Sequence, residues 1–392
     1  MDATGGETMK TVMWLYLFIF VAFFDLHAQF PMLTPYAISL GAAPSFIGFI
    51  MGIYSLTHLP GNLLAGYSVD RFGSKPFIVL SLIAAGVLLI AQGHVADPWQ
   101  LLAVRSVSGF VLAFLSPACL ALLAKLARDR VHQSKLMSGN GLVHTLASVV
   151  SPAAGALLVA KVGFTAAFVA LGWGLIVTGV LAAFGVKERR AGSEKSAPPP
   201  AAGFRPAESE RSKKLPWLFY GVPLALSCSQ GILFFELPLL AGKSTSVVET
   251  GMLFSIVSVG ALVTLAMVFF NRVPPLYRTM FGALALALVF FGLAVRWPVP
   301  LPVSLLMIGM AKGVIFPAIA ALLASVTDPG KYGRVFSVLS IAFSLGAFFG
   351  PIVAGQVREH ISPYYIAFVV LMTALALLPP PLKRSSHASA KT

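Results

Sequence analysis

The sequence predicts an all-α membrane protein whose twelve transmembrane helices form two pseudo-symmetric six-helix bundles. Three observations carry this. First, 57% of the 392 residues are hydrophobic and 11% charged, with a mean hydropathy of +0.86. A soluble globule needs a wettable surface, and this composition does not supply one. Second, apolar runs of about 20 residues recur along the chain, each long enough to cross roughly 30 Å of hydrocarbon as a helix. Third, the second half of the chain repeats the first in order.

The runs place spans near 12–36, 44–66, 76–93, 99–124, 137–160 and 164–185, then near 217–239, 248–270, 279–296, 301–325, 334–356 and 362–381. The first run is too long for a signal-peptide core and lacks a small-residue cleavage site, so it is expected to stay as a membrane helix. Residues 1–186 form the expected N-terminal bundle and 217–392 the C-terminal one. Between them, 187–216 is the only long polar stretch; its Pro, Ala, Ser and mixed charge suit a flexible cytoplasmic linker. Cys119 and Cys228 both fall in apolar runs, which points to core packing and implies neither a disulfide nor a metal site.

The net charge of +14 follows topology rather than nucleic acid. With the N-terminus in the cytoplasm, only Lys161, Lys243, Arg296 and Arg358 face outward, and Arg105 and Lys312 lie within spans. The other 22 of the 28 Lys and Arg residues fall on cytoplasmic segments. That asymmetry is the positive-inside rule and places both termini in the cytoplasm.

The repeat is an ordered series with a slowly drifting offset. At 203 residues Trp14 meets Trp217, Pro35 meets Pro238, Gly48 meets Gly251 and Ser55 meets Ser258. At 200, PACLALLA (117–124) meets PAIAALLA (317–324), and at 199, SPAAG (151–155) meets GPIVA (350–354). A duplicated six-helix unit suggests two bundles rocking about a midplane site.

The turn after the second span reads GYSVDRFGSK (66–75). Gly66, Asp70, Arg71, Gly73 and Lys75 resemble the signature of the major facilitator superfamily, with Ser68 and Ser74 departing from it. Arg105 and Gly109 of RSVSG resemble a second signature of that family, in span 4. The resemblance covers nearly the whole chain and is greatest to twelve-helix drug/proton antiporter-type exporters. It implies that the 66–75 turn is a charge latch holding the cytoplasmic side closed. Asp70 can there pair with Arg71 or accept backbone N–H groups at a helix N-terminus, while the tight turn needs a positive φ at Gly73. SPAAGA in span 5 is a degenerate copy of a Gly-Pro element typical of family exporters, and GAFFGPIVAG in span 11 is a fuller one. Pro152, Gly155, Gly350 and Pro351 are therefore candidates for helix kinking and close backbone approach.

The embedded polar residues carry the candidate chemistry. An ionised acid at the bilayer centre costs roughly 2.5–3.5 kcal/mol even on insertion scales, so Asp25 within FFDLHAQF is a functional candidate. At 1.5 Å per residue, Asp25 and Arg105 differ in depth by roughly 8 Å, within the combined reach of their side chains. Asp25, Arg105 and His27 are the candidate proton-coupling residues; Gln29 shares the Asp25 helix face at i+4. Lys312, Gln29, His58, His144, Gln230 and Glu236 are the candidate substrate-binding residues. Phe23, Phe24, Phe30 and Tyr54 are expected at lipid or helix seams.

No phosphate-binding Gly-Lys-Ser/Thr loop, nucleophile elbow or metal-ligand spacing occurs in the sequence. The expectation is a cofactor-free, non-enzymatic secondary transporter in the cell (inner or plasma) membrane, with small-molecule substrate, protons and the bilayer as partners and a functional monomer. Proton-coupled export of amphipathic small molecules or drugs is the leading reading. A carrier of organic anions using Arg105 and Lys312, or a lipid flippase of the same fold, is the alternative.

Overall fold

A computed structural model describes residues 3–127, 129–186, 217–241, 246–267, 273–327 and 332–378, and throughout these the ordered elements are helices. The first crossing is α1 (Ala3–Ala28) followed by α2 (Phe30–Ser39); the second is α3 (Pro44–Phe72) and the third α4 (Lys75–Gln92). The fourth is α5 (Pro98–Leu112) followed by α6 (Leu115–Lys125), and α7 (Arg130–Gly185) carries the fifth and sixth. The remaining six are α8 (Gly221–Ala241), α9 (Val247–Ala266), α10 (Pro275–Ala294), α11 (Leu301–Val326), α12 (Tyr332–Val357) and α13 (Pro363–Ala376). The twelve crossings fall where the apolar runs predict them. The linker expected at 187–216 lies outside the described residues.

Local chemistry sets the breaks. Pro31 has no N–H to give the preceding turn, and the first crossing breaks at Gln29, between α1 and α2. Pro117 does the same to the carbonyl of Ala113, and the fourth crossing breaks at Ala113–Phe114. Gly163 (φ 80) separates the two crossings of α7, and Gly73 (φ 90) makes the turn after α3. Asp97 caps α5 by accepting from the Trp99 and Gln100 amides, and Ser246 and Glu249 form a reciprocal capping box on α9. One expectation needs correction. α3 does not stop at 66 but continues to Phe72, because no breaker occurs before Gly73. Gly66, Asp70 and Arg71 therefore ride on its last turns.

Glycines at the helix crossings bring the two bundles together at one face. A Cβ on Gly48 of α3 would fall on the Pro351 carbonyl of α12, and one on Gly251 of α9 would stand 2.5 Å from the Pro152 carbonyl of α7. Gly48 and Gly251 are repeat partners, as are Pro152 and Pro351, so the two seams are the same contact made twice about the pseudo-twofold axis. The sealed face is called outer and the face with the 66–75 turn inner, following the orientation that the charge asymmetry predicts. Along α3 the sealed stripe passes from Gly48 and Gly52 to Ser55 on a cavity wall, and then to exposed Leu63 and Tyr67. The bundles are closed outside and splayed inside.

Candidate functional site

A cavity of about 350 Å³ lies where the bundles diverge, with walls from α1, α3, α5, α6, α8 and α12. Its polar lining is Tyr54, Ser55, His58, Ser116, Ser227 and Ser344; the rest is apolar and no charged side chain lines it. Such a surface suits an amphipathic guest held by dispersion and a few hydroxyl hydrogen bonds.

The buried charges stand immediately behind this wall. Asp25, Gln29, Gln92 and Arg105 are each at most 5% exposed. Gln29 Nε2 donates to Asp25 Oδ2 at 3.0 Å, while Gln29 Oε1 accepts from Arg105 Nη1 at 3.0 Å and from Gln92 Nε2 at 3.2 Å. A guanidinium can only donate. The Gln29 atom facing Arg105 must therefore be the carbonyl oxygen, and its amide nitrogen is turned to Asp25. The direct Asp25–Arg105 pairing expected from their reach is replaced by this bridge. One carboxylate and one guanidinium share a net-neutral network through a single amide, which limits the cost of burying both. Asp25 Oδ1 and Arg105 Nε have no hydrogen-bond partner.

Sequence spacing builds the network. Asp25 and Gln29 are one helical turn apart, and Gln29 sits at the α1–α2 break. Gly155 of α7 lets that helix close to 2.6 Å, measured from a Cβ placed on it, of the Ala28 carbonyl beside the break. Gly109 does for α5 what Gly48 does for α3: its missing side chain admits the Tyr54 carbonyl and the Thr57 hydroxyl of α3. Arg105, one turn earlier on the same face, then stands 4.7 Å from the Tyr54 ring centroid. Tyr54 has its other side on the cavity. The charge network therefore touches the cavity wall through one aromatic ring.

A second group of rings spans the two bundles. His27 Nδ1 donates to the Phe23 carbonyl at 2.7 Å, which leaves Nε2 of a neutral ring as an acceptor. His144 of α7 packs 4.2 Å from Phe23 and 5.5 Å from His27, centroid to centroid. Phe30 packs edge-on 5.3 Å from His27 and tilted 4.3 Å from Phe234 of α8, centroid to centroid. Beyond Phe234, at 5.8 Å from its centroid, is the ammonium of Lys312 on α11.

The remaining candidates are spread out. His58 lines the cavity and bonds Asn62 at 2.8 Å. Gln230 is half-buried on α8, outside the cavity lining. Glu236 is drawn to the outer end of α8. There both carboxylate oxygens accept from Arg358 Nε, at 3.0 and 3.2 Å, beside a separate outer cavity of about 680 Å³. Arg71 donates to the Tyr67 hydroxyl at 3.0 Å rather than to Asp70. Pro152, Gly155, Gly350 and Pro351 all serve as close-approach points between helices, Gly350 against the Cys228 carbonyl. Tyr54 and Phe23, expected at seams, face the cavity, and Gln92, a lone amide ending an apolar span, was not singled out by the sequence.

The Major Facilitator Superfamily profile matches residues 15–303 and 277–391. The chain belongs to the major facilitator superfamily. Its relatives within the superfamily include the inner membrane transport protein YajR of Escherichia coli, 31% identical over 141 residues, which are 35% of this chain and 30% of that protein. The multidrug resistance protein MdtG of Salmonella arizonae is 31% identical over 142 residues, 35% of each chain. The matched segment spans about a third of these relatives. Among solved superfamily structures, a bacterial homolog of the human lysosomal transporter Spinster superposes with a TM-score of 0.73 at 15% identity, covering 93% of this chain and 95% of that one. The human organic anion transporter MFSD10 gives 0.66 at 18%, covering 95% and 99%. At those identities the likeness is one of fold. This superfamily member is a multi-pass membrane protein.

Proposed function

We propose that the protein is a proton-coupled exporter of small amphipathic molecules, working by alternating access as a monomer in the inner membrane with both termini cytoplasmic. The observation that carries this reading is the contact between the Asp25–Gln29–Arg105 network and the cavity through Tyr54. A carboxylate buried in the bilayer gains by taking up a proton, and Oδ1 of Asp25 is the oxygen left free to receive it. Protonation removes the charge that Gln29 relays to Arg105. The guanidinium, left uncompensated, pulls harder on the Tyr54 face and reshapes the cavity wall. Proton and substrate thus bias one rigid-body equilibrium through shared parts. The splayed inner face is the state that loads substrate from the cytoplasm. In the opposite state the 66–75 turn, with Asp70, Arg71 and Lys75, acts as the inner latch.

The test is transport in proteoliposomes with an imposed pH gradient and a panel of anionic, neutral and cationic amphipathic fluorophores. Uphill movement of at least one probe, opposite to the proton flow and abolished by a protonophore, is the expected result. Movement that only ever runs downhill, at a rate indifferent to the gradient, would make the protein a facilitator instead.

A further inference from the structure

Two buried acids lie in the described spans, and both are engaged: Asp25 with Gln29, and Glu236 with Arg358. Arg105 is balanced through Gln29. Lys312 is different. It is half-buried in the middle of α11, and among the described residues it has no hydrogen bond or ion pair, only the Phe234 face. The elements round it bring His27 from α1, Phe30 from α2, His144 from α7 and Phe234 from α8, with Phe254 of α9 packed 5.4 Å from Phe234. Both imidazoles lie within electrostatic range of the ammonium. No carboxylate is among these neighbours. A cation held in apolar surroundings without a counter-charge is costly, and a ring face offsets only about 0.5–2 kcal/mol of it.

We propose that Lys312 anchors the anionic head of the substrate, whose class is therefore amphipathic monoanions: a carboxylate or sulfonate on an aromatic or aliphatic body. This rests on the export reading above and narrows it. The ring series runs from Phe23, on the cavity wall, through His144, His27 and Phe30 to Phe234 beside Lys312. The apolar body occupies the cavity, and the head reaches between rings contributed by both bundles. An anion seated there gives Lys312 of the C-terminal bundle a counter-charge while its body packs on α1 and α3 of the N-terminal bundle, so occupancy draws the two bundles together. Arg105 is not the anchor, because Gln29 holds it on the far side of Tyr54.

The test uses detergent-purified full-length protein and three dansyl probes that differ in charge: dansylglycine (anion), N-dansylethanolamine (neutral) and dansylcadaverine (cation). Fluorescence titration of the wild type should give affinity for dansylglycine roughly tenfold or more above that for the neutral probe, the scale of one charge-assisted hydrogen bond. Lys312→Met should erase that preference while eluting as the same monodisperse species, and Lys312→Arg should restore part of it. Equal wild-type affinity for the three probes, or an undiminished preference in Lys312→Met, overturns the proposal. The same probes in proteoliposomes separate the two readings. Lys312-dependent binding without pH-driven flux leaves the anchor standing and removes proton-coupled export. pH-driven flux of the neutral or cationic probe with no anion preference does the reverse.

Discussion

Gln29 is the smallest unit on which the coupling argument depends. Its amide joins an acid to a base that does not touch it directly, and its two ends are assigned by the fact that Arg105 only donates. Gln29→Leu would leave the carboxylate and the guanidinium buried with fewer partners. The expected cost is about 1–3 kcal/mol of stability, read by denaturant unfolding in micelles. Proton-driven flux should fall with it, whereas an unchanged unfolding midpoint would mean that water replaces the bridge. The sequence made part of this site legible. The i+4 spacing put Gln29 on the Asp25 face, and depth arithmetic brought Arg105 near. What it hid was the order of contact, since reach alone allows a direct ion pair and only the helix break at Gln29 turns the amide between the charges. The partner of Glu236 was hidden for a related reason. Its counter-ion Arg358 is 122 residues away, and no local pattern announces such a partner.

At the scale of helices, the glycines decide which faces approach. Gly109 seats α5 against Tyr54, and Gly48 and Gly251 seal the outer face against Pro351 and Pro152. The two outer seams were legible as repeat partners, Gly48 with Gly251 and Pro152 with Pro351, because duplicated helices reuse the same small positions. Helix ends were less legible. α3 overran its expected end, since hydropathy falls where the membrane stops while the helix continues until a residue breaks it. Gly48→Val and Asp70→Asn should move the equilibrium in opposite directions. The first wedges the outer seam and favours the outward-open form; the second weakens the inner latch and favours the inward-open one. Labelling of single cysteines engineered at Ser55 and at Val338, on the inner half of α12, should fall from the inner side in Gly48→Val and rise in Asp70→Asn. Equal labelling in both variants would mean that neither contact sets the balance.

Across the whole molecule, the two bundles divide the labour. The N-terminal bundle holds the balanced network of Asp25, Gln29, Gln92 and Arg105, and the C-terminal bundle brings the unbalanced Lys312. They share a cavity whose own lining carries no charge, so a proton on one side and an anionic head on the other act on the same apolar body. The topology of twelve crossings was legible from apolar run length alone. The division of charge was not, because pairing between crossings is a property of packing.

The central claim is that Asp25 carries the coupling proton. It is tested most directly by comparing net flux with exchange in proteoliposomes for the wild type and Asp25→Asn, whose neutral amide mimics the permanently protonated acid. The account predicts that Asp25→Asn loses accumulation driven by an imposed pH gradient, while exchange of labelled for unlabelled substrate across equal pH persists, because the variant can still cross without a proton. Full pH-driven accumulation by Asp25→Asn would contradict it and leave Asp25 a structural partner of Gln29 and Arg105, with the proton carried elsewhere.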